Sequence, residues 1–239
     1  MRRFLILFIL TISLFGEDIY ATFNVEAKKS ANLAFNAGGI VKKVYVDVGS
    51  FVKKGDVIAV LNNSDIKAAL NLNKVELKYA KKDYNRALRV KSVMDKAAFD
   101  KFAFKKDIAA AKIKIEQERL SKTALKAPFT GVIYYKNIEA GDVVTAMNPK
   151  TIFKIQSPKE RVLKIFVDQR YANSIKVGDE FVYKIDGTKE QKVAKISKIY
   201  PTIDTKSRKI TAEAKAQSLI VGSFGDGYIR SSKWVSGYI

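Results

Sequence analysis

One β-unit of this chain is written in two pieces. Gly39-Ile40-Val41 opens a run that closes on Gly55-Asp56-Val57-Ile58-Ala59-Val60-Leu61. The same grammar returns later as Ala127-Pro128-Phe129-Thr130-Gly131-Val132-Ile133, then Gly141-Asp142-Val143-Val144, then Ile152-Phe153-Lys154-Ile155. The stretch between the pieces is long and charged and has neither glycine nor proline. A β-module interrupted by a helical pair projects a spike from a rigid base. That shape points to a component of an assembly rather than to an enzyme.

The interruption carries the helical period. Ile66, Leu70, Asn73, Leu77, Ala80, Tyr84 and Ala87 alternate steps of four and three, one heptad seam, with Lys67, Lys74, Glu76, Lys78, Lys81 and Lys82 on the faces between. A second seam runs through Phe99, Phe102, Ala109, Ile113 and Leu120, with Lys106 and Glu116 as polar interruptions. Two such helices joined by a short loop bury their seams against each other, so the spacing predicts an antiparallel α-helical hairpin over residues 62–122. Asn62-Asn63-Ser64-Asp65 supplies the turn and cap into it. Ala127-Pro128 ends its second arm, because proline disfavours helix in the residue before it. The two flanks, 22–61 and 123–157, read as the halves of one β-sandwich, with 22–27 open to another assignment.

A third unit spans residues 158–229. Val162, Lys164 and Phe166 alternate with Leu163, Ile165 and Val167; Phe181, Tyr183 and Ile185 alternate likewise, and Asp186-Gly187 is a hairpin turn. Val193 to Tyr200 and Lys209 to Ala216 add strands, and Asp168 to Ile175 reads as a short helix. A small antiparallel β-barrel is the economical architecture, since closure removes the edges. Residues 230–239 are left as a tail.

The first residues are Met1-Arg2-Arg3, an apolar run from Phe4 to Phe15, and a polar end through Ala21. This reads as an export signal over residues 1–21, cut after Ala21, although Ile19 stands where a small residue is preferred, with an uncleaved anchor as the second reading. The run is too short to span a bilayer, which takes about 20 residues. No cysteine follows it, which excludes a lipoprotein anchor. The chain has neither cysteine nor histidine, which removes disulfides, thiolate chemistry, the commonest general base and the commonest metal ligand. Its net charge of +20, from 44 Lys and Arg against 24 Asp and Glu, is spread along every segment, a solvated basic surface with an acidic membrane as the second reading. Export and unfocused charge disfavour nucleic acid.

Taken in order, these pieces resemble the periplasmic adaptors, or membrane fusion proteins, of tripartite efflux pumps. The resemblance rests on Gly38-Gly39-Ile40-Val41 with Gly49 and Lys54-Gly55-Asp56, on Ala127-Pro128-Phe129-Thr130-Gly131 with Gly141-Asp142, and on Pro201, Asp204, Ser207-Arg208 and Gly222 in the barrel segment. It implies an α+β, mostly β fold: a split lipoyl-like sandwich with an inserted helical hairpin, followed by the barrel. The family's membrane-proximal β-domain is expected to be reduced or absent, with residues 22–27 and 230–239 as the segments that could supply a remnant of it. Implied partners are an inner-membrane transporter, with a resistance–nodulation–division pump favoured over ATP-driven exporters and type I secretion, an outer-membrane efflux channel, and further copies of the chain, six by the family's pattern. The implied place is the periplasm of a Gram-negative bacterium, against the inner membrane, and the implied task is export of small molecules such as drugs or toxic compounds. The family's channel-binding tip motif is an arginine, an apolar residue one turn later and a serine capping the second helix. Arg86 and Val90 match the first two positions; the serine position falls on Asp95, and the loop is shorter than usual, so Ser92 is an alternative hydroxyl. Soft-metal cargo is disfavoured, since only Met94 and Met147 remain as soft ligands beyond the leader. No cofactor, metal or catalytic residue is expected. A lipoyl or biotinyl carrier is a rival, but the hairpin replaces the turn that would display its lysine. An enzyme is a second rival, with only Ser-Lys neighbours such as Ser197-Lys198 and Ser232-Lys233 to offer.

Overall fold

A computed structural model describes residues 18–230 of the chain. Its strands are β1 (Asp18–Ala27), β2 (Ser30–Leu33), β3 (Gly39–Val44), β4 (Phe51–Val52), β5 (Val57–Leu61), β6 (Ala124–Lys126), β7 (Gly131–Lys136), β8 (Val143–Val144), β9 (Phe153–Gln156), β10 (Glu160–Asp168), β11 (Glu180–Ile185), β12 (Gln191–Asp204), β13 (Lys209–Gln217) and β14 (Phe224–Arg230). Helices α1 (Ser64–Arg89) and α2 (Lys96–Lys122) lie between β5 and β6. The chain divides into two units, one formed by residues 30–158 and the other by the segments on either side.

In the first unit, two four-stranded sheets, ordered β2-β9-β7-β4 and β6-β5-β3-β8, share one core of Leu33, Phe35, Val41, Val52, Ile58, Leu61, Ile133, Phe153 and Ile155. Each sheet takes two strands from before the hairpin and two from after it. Gly131 opens β7 where it runs tight against β9: a Cβ there would stand 2.5 Å from the Gln156 carbonyl oxygen. The feet of the hairpin are tied together, since Asn63 Nδ2 donates to Thr123 Oγ1 at 3.0 Å and the Leu61 amide donates to the Thr123 carbonyl at 2.8 Å.

The second unit is a closed antiparallel barrel, β1-β10-β13-β12-β11-β14. Strict alternation builds its interior. Ile19, Ala21, Phe23 and Val25 of β1 point inward with Leu163, Ile165 and Val167 of β10, Phe181 and Tyr183 of β11, and Ala212 and Ala214 of β13. Phe23 meets Phe181 and Tyr183 edge-on, at 5.7 and 5.1 Å between ring centres. That cluster fits only because β14 is bare where it passes. A Cβ on Gly227 would lie 2.3 Å from the Val182 carbonyl oxygen and 2.9 Å from the Phe181 ring, and one on Gly225 would meet the Lys184 carbonyl at 2.1 Å.

The barrel is wider in sequence than 158–229. Residues 22–27, expected with the sandwich, pair in register with β10 on one side and β14 on the other. Asp18 to Ala21, expected in the leader, open the same strand, and Ile19 and Ala21 are buried. The period-two alternation from Ile19 to Val25 is the physical reason. Arg230 closes β14, so the rest of the expected tail, like leader residues 1–17, lies outside the described residues. The short helix expected over Asp168 to Ile175 is a single 3-10 turn, Gln169–Tyr171.

Candidate functional site: the hairpin and its tip

α1 and α2 have 26 and 27 residues, so each arm is about 40 Å long. The inner seams close as the heptads require. Leu70, Ala80 and Ala87 of α1 and Phe99, Ala109 and Glu116 of α2 are buried, while Leu77, Tyr84, Phe102, Ile113 and Leu120 are partly buried. Tyr84 packs on Phe99 at 5.5 Å, and the Lys106 ammonium sits 4.2 Å from the centre of the Tyr84 ring. Glu116 is the costly member of the seam. Its Oε1 accepts from Arg119 at 3.2 Å, while its buried Oε2 finds no partner.

At the tip, α1 ends at Arg89, a 3-10 turn over Lys91–Val93 reverses the chain, and Asp95 starts α2. The Asp95 carboxylate accepts from the Ala98 amide at 3.0 Å, a side-chain N-cap worth about 1 kcal/mol. Arg86 projects outward with most of its side chain exposed, but its guanidinium is held by Asp83 one turn back in the same helix. An exposed pair of this kind is worth at most about 1 kcal/mol, so a better acceptor can take the arginine over. Val90 is half exposed one turn beyond Arg86, and Ser92 is exposed in the 3-10 turn. Arg86, Val90, Asp83, Ala87, Met94 and Phe102 line one open depression; Ser92 and Asp95 do not line it. Sequence reasoning passed over Leu88 and Val93 here. Val93 is 85% exposed at the apex, an apolar residue off the seam, and that offset is the signal that could have found it.

Sequence reasoning also treated the outer faces of the arms as charged. They carry apolar stripes. Leu72, Val75 and Tyr79 are exposed on α1, and Phe104, Ile108 and Ile115 on α2. With Ala68, Lys82 and Arg86, and with Ala97, Lys101, Ala111 and Glu118, these positions repeat in steps of four and three, so each arm has a second heptad seam behind its first. The cross-arm ion pairs set the levels. Lys112 Nζ bonds Glu76 at 2.9 Å, and Lys105 lies 3.9 Å from Asp83. By that antiparallel register, Leu72 stands level with Ile115 and Tyr79 with Ile108.

Among the described residues, no group of three or more acidic side chains could hold a metal ion, and no helix is long and apolar enough to cross a membrane. A split sandwich that carries a tipped hairpin and is joined to a barrel defines a membrane fusion protein, the adaptor class of efflux systems. The family model of the CzcB-like barrel-sandwich hybrid domain matches residues 29–157, more than half of the chain, and the chain belongs to this CzcB-like periplasmic adaptor family.

The cobalt-zinc-cadmium resistance protein CzcB of Cupriavidus metallidurans is 23% identical over 169 residues, covering 64% of this chain and 32% of that protein. The cation efflux system protein CzcB of an Alcaligenes species matches to the same extent. The chain thus spans about a third of the length of these curated relatives. Among solved structures, a MacA–MexA chimera with the Pseudomonas aeruginosa MexA α-hairpin has a TM-score of 0.85 at 19% identity, covering 91% of this chain and 82% of that one. ZneB of Cupriavidus metallidurans has a TM-score of 0.62 at 14% identity, covering 91% and 72%. At these identities the likeness is one of fold.

Proposed function

We propose that the protein is the periplasmic adaptor of a tripartite efflux pump. It links an inner-membrane transporter of the resistance–nodulation–division type to an outer-membrane channel, and it works as a ring of copies. The pair of outer stripes on the hairpin carries this reading. In each arm the outer stripe sits about 140–155° round from the inner seam, in the same rotational sense. Because the arms are antiparallel, both stripes tilt toward one side of the hairpin plane. Hairpins laid side by side, α1 of one against α2 of the next, therefore curve, and close after roughly five to seven copies. With no rise between copies, Leu72 meets Ile115 and Tyr79 meets Ile108, apolar against apolar. The tips then form a crown of Arg86, Leu88, Val90 and Val93 that offers the channel guanidinium forks and apolar contact.

A chain free of cysteine makes the test direct. Leu72→Cys together with Ile115→Cys should give a disulfide-linked ladder of oligomers in cells that express pump and channel, and neither single variant should go beyond a dimer. A double variant that stays monomeric under oxidation sinks the ring. The likeness to CzcB favours a second reading of the cargo, divalent cations rather than organic compounds. Deletion of the gene separates the two: sensitivity to zinc, cobalt and cadmium alone supports cations, and sensitivity to dyes and detergents alone supports small organic molecules.

A further inference from the structure

The chain uses the two rims of the barrel differently. Both crossings to the sandwich unit, Ala27 to Ser30 and Gln156 to Glu160, leave from one rim. Both ends of the described chain leave from the other, where Asp18 and Arg230 are paired in register and lie 3.8 Å apart as an ion pair. This second rim also holds the β10–β11 loop and the β12–β13 turn, joined where the Gln169 amide donates to the Arg208 carbonyl at 3.1 Å.

Its surface is apolar at the tip and basic around it. Val177, in the β10–β11 loop, is 63% exposed. One step down the outer wall, Tyr20 and Tyr228 stand edge-to-face at 5.6 Å, and their row continues in register through Val182 to Val193. Most acids of the rim are occupied. Asp18 pairs with Arg230, Asp168 pairs with Arg170, and Asp204 accepts from the amides of Lys206 and Ser207, while Glu180 stands in register beside Arg230. Asp179 is buried and accepts from the Lys176 amide. Lys176, Lys206 and Arg208 form no ion pair among the described residues.

We infer that this rim docks on an anionic phospholipid surface, with Val177 and the Tyr20–Tyr228 pair entering the headgroup layer and Lys176, Lys206 and Arg208 meeting lipid phosphates. Three observations favour lipid over protein. The apolar row is one residue wide, flanked by charged or polar residues on both sides, which is too narrow for the apolar centre of a stable protein interface. Tyrosine pairs with a wet hydroxyl end and an apolar body suit the membrane boundary. The apolar run Phe4 to Phe15 ends three residues before Asp18, at most about 10 Å of chain, so a bilayer that takes up that run comes within reach of this rim and not of the other.

The test uses the chain from Glu17 to Ile239, which keeps every described residue and removes the apolar run. It should sediment with vesicles of phosphatidylglycerol and phosphatidylethanolamine, not with phosphatidylcholine vesicles, and added salt should release it. Lys176→Glu, Lys206→Glu and Arg208→Glu together should weaken that binding at least about tenfold, with an unchanged thermal transition as the control for folding. Val177→Asp should weaken it with the three cations intact. Indifference of the parent protein to phosphatidylglycerol overturns the inference, as does equal binding by the variants. A change in self-association without lipid on charge reversal also overturns it, assigning the rim to contacts between copies. The adaptor reading is read out separately, at the hairpin stripes.

Discussion

Three aspartates do the same job at three places. Asp56 accepts from the Lys53 amide, Asp142 from the Glu139 amide and Asp179 from the Lys176 amide, each at 2.7–2.8 Å, and each follows a glycine with φ between +92° and +101°. The Gly-Asp pairs at 55–56 and 141–142 made the two halves of the sandwich legible, because the left-handed glycine and the bonding carboxylate are both local. Nothing local foretold the partners of Glu213. Its carboxylate, on β13, takes the Lys164 ammonium of β10 and the Tyr200 hydroxyl of β12 on the barrel wall. Burial acts to raise the affinity of Glu213 for a proton, but the bonds from Lys164 and Tyr200 outweigh it and hold the carboxyl below its usual range. A carboxyl depressed in the folded state adds stability above its unfolded pKa, about 4.3, and loses it as pH falls through the folded value. Glu213→Gln should therefore cost the barrel about 1–3 kcal/mol at neutral pH and flatten its acid-unfolding slope below about pH 4. Urea titrations at neutral and acid pH read both effects, and an acid slope equal to that of the parent would refute the assignment.

Elements were legible where their period was local. The inner seams of α1 and α2 could be read residue by residue, down to Lys106 and Glu116 as interruptions, and the alternation of β10 and β11 likewise. Two strands escaped. β14 hides because Gly225 and Gly227 take the places of side chains that the Phe23 cluster occupies instead. β1 hides because Ile19 and Ala21 look like the end of a leader, and only the distant β10 and β14 make them core. A chain that starts at Thr22 loses the buried Ile19 and Ala21 and the pairs from Asp18 to Ala21. Its barrel should be weaker by about 3 kcal/mol or more than that of a chain starting at Glu17. Denaturant midpoints of the two versions measure the difference, and N-terminal sequencing of the exported protein should find its first residue no later than Asp18. Equal midpoints would mean that β1 is dispensable before Thr22.

At the scale of the molecule, the order of sandwich half, hairpin, sandwich half and barrel was visible in the sequence, and the outer stripes of the hairpin were not, since lysines between them mask the apolar period. On the proposed function, the two faces of the hairpin separate function from folding. On that reading, Arg86→Ala should reduce export and channel cross-linking with the fold intact, because the arginine is mostly exposed and its guanidinium pairs with Asp83 in its own helix. Val90→Asp should do the same. Leu77→Asp should instead unfold the hairpin, since it puts an unpaired charge in the inner seam. Wild-type export by both tip variants would move the channel contact elsewhere. The interleaving of strands has a consequence in time. Neither sheet of the sandwich can be completed from the first half alone, so during synthesis that half must wait until the hairpin has been made. The arms meet first at the short tip, so they should close before the halves of the sandwich pair, and closure would bring Thr123 to Leu61 and Asn63. Loop-closure entropy for the sandwich would thus be met by the spike as its halves come together. The barrel cannot close until its final strand has been made, because β1 pairs with β14. The projection that reaches outward in the finished molecule is also the splint on which its base is assembled.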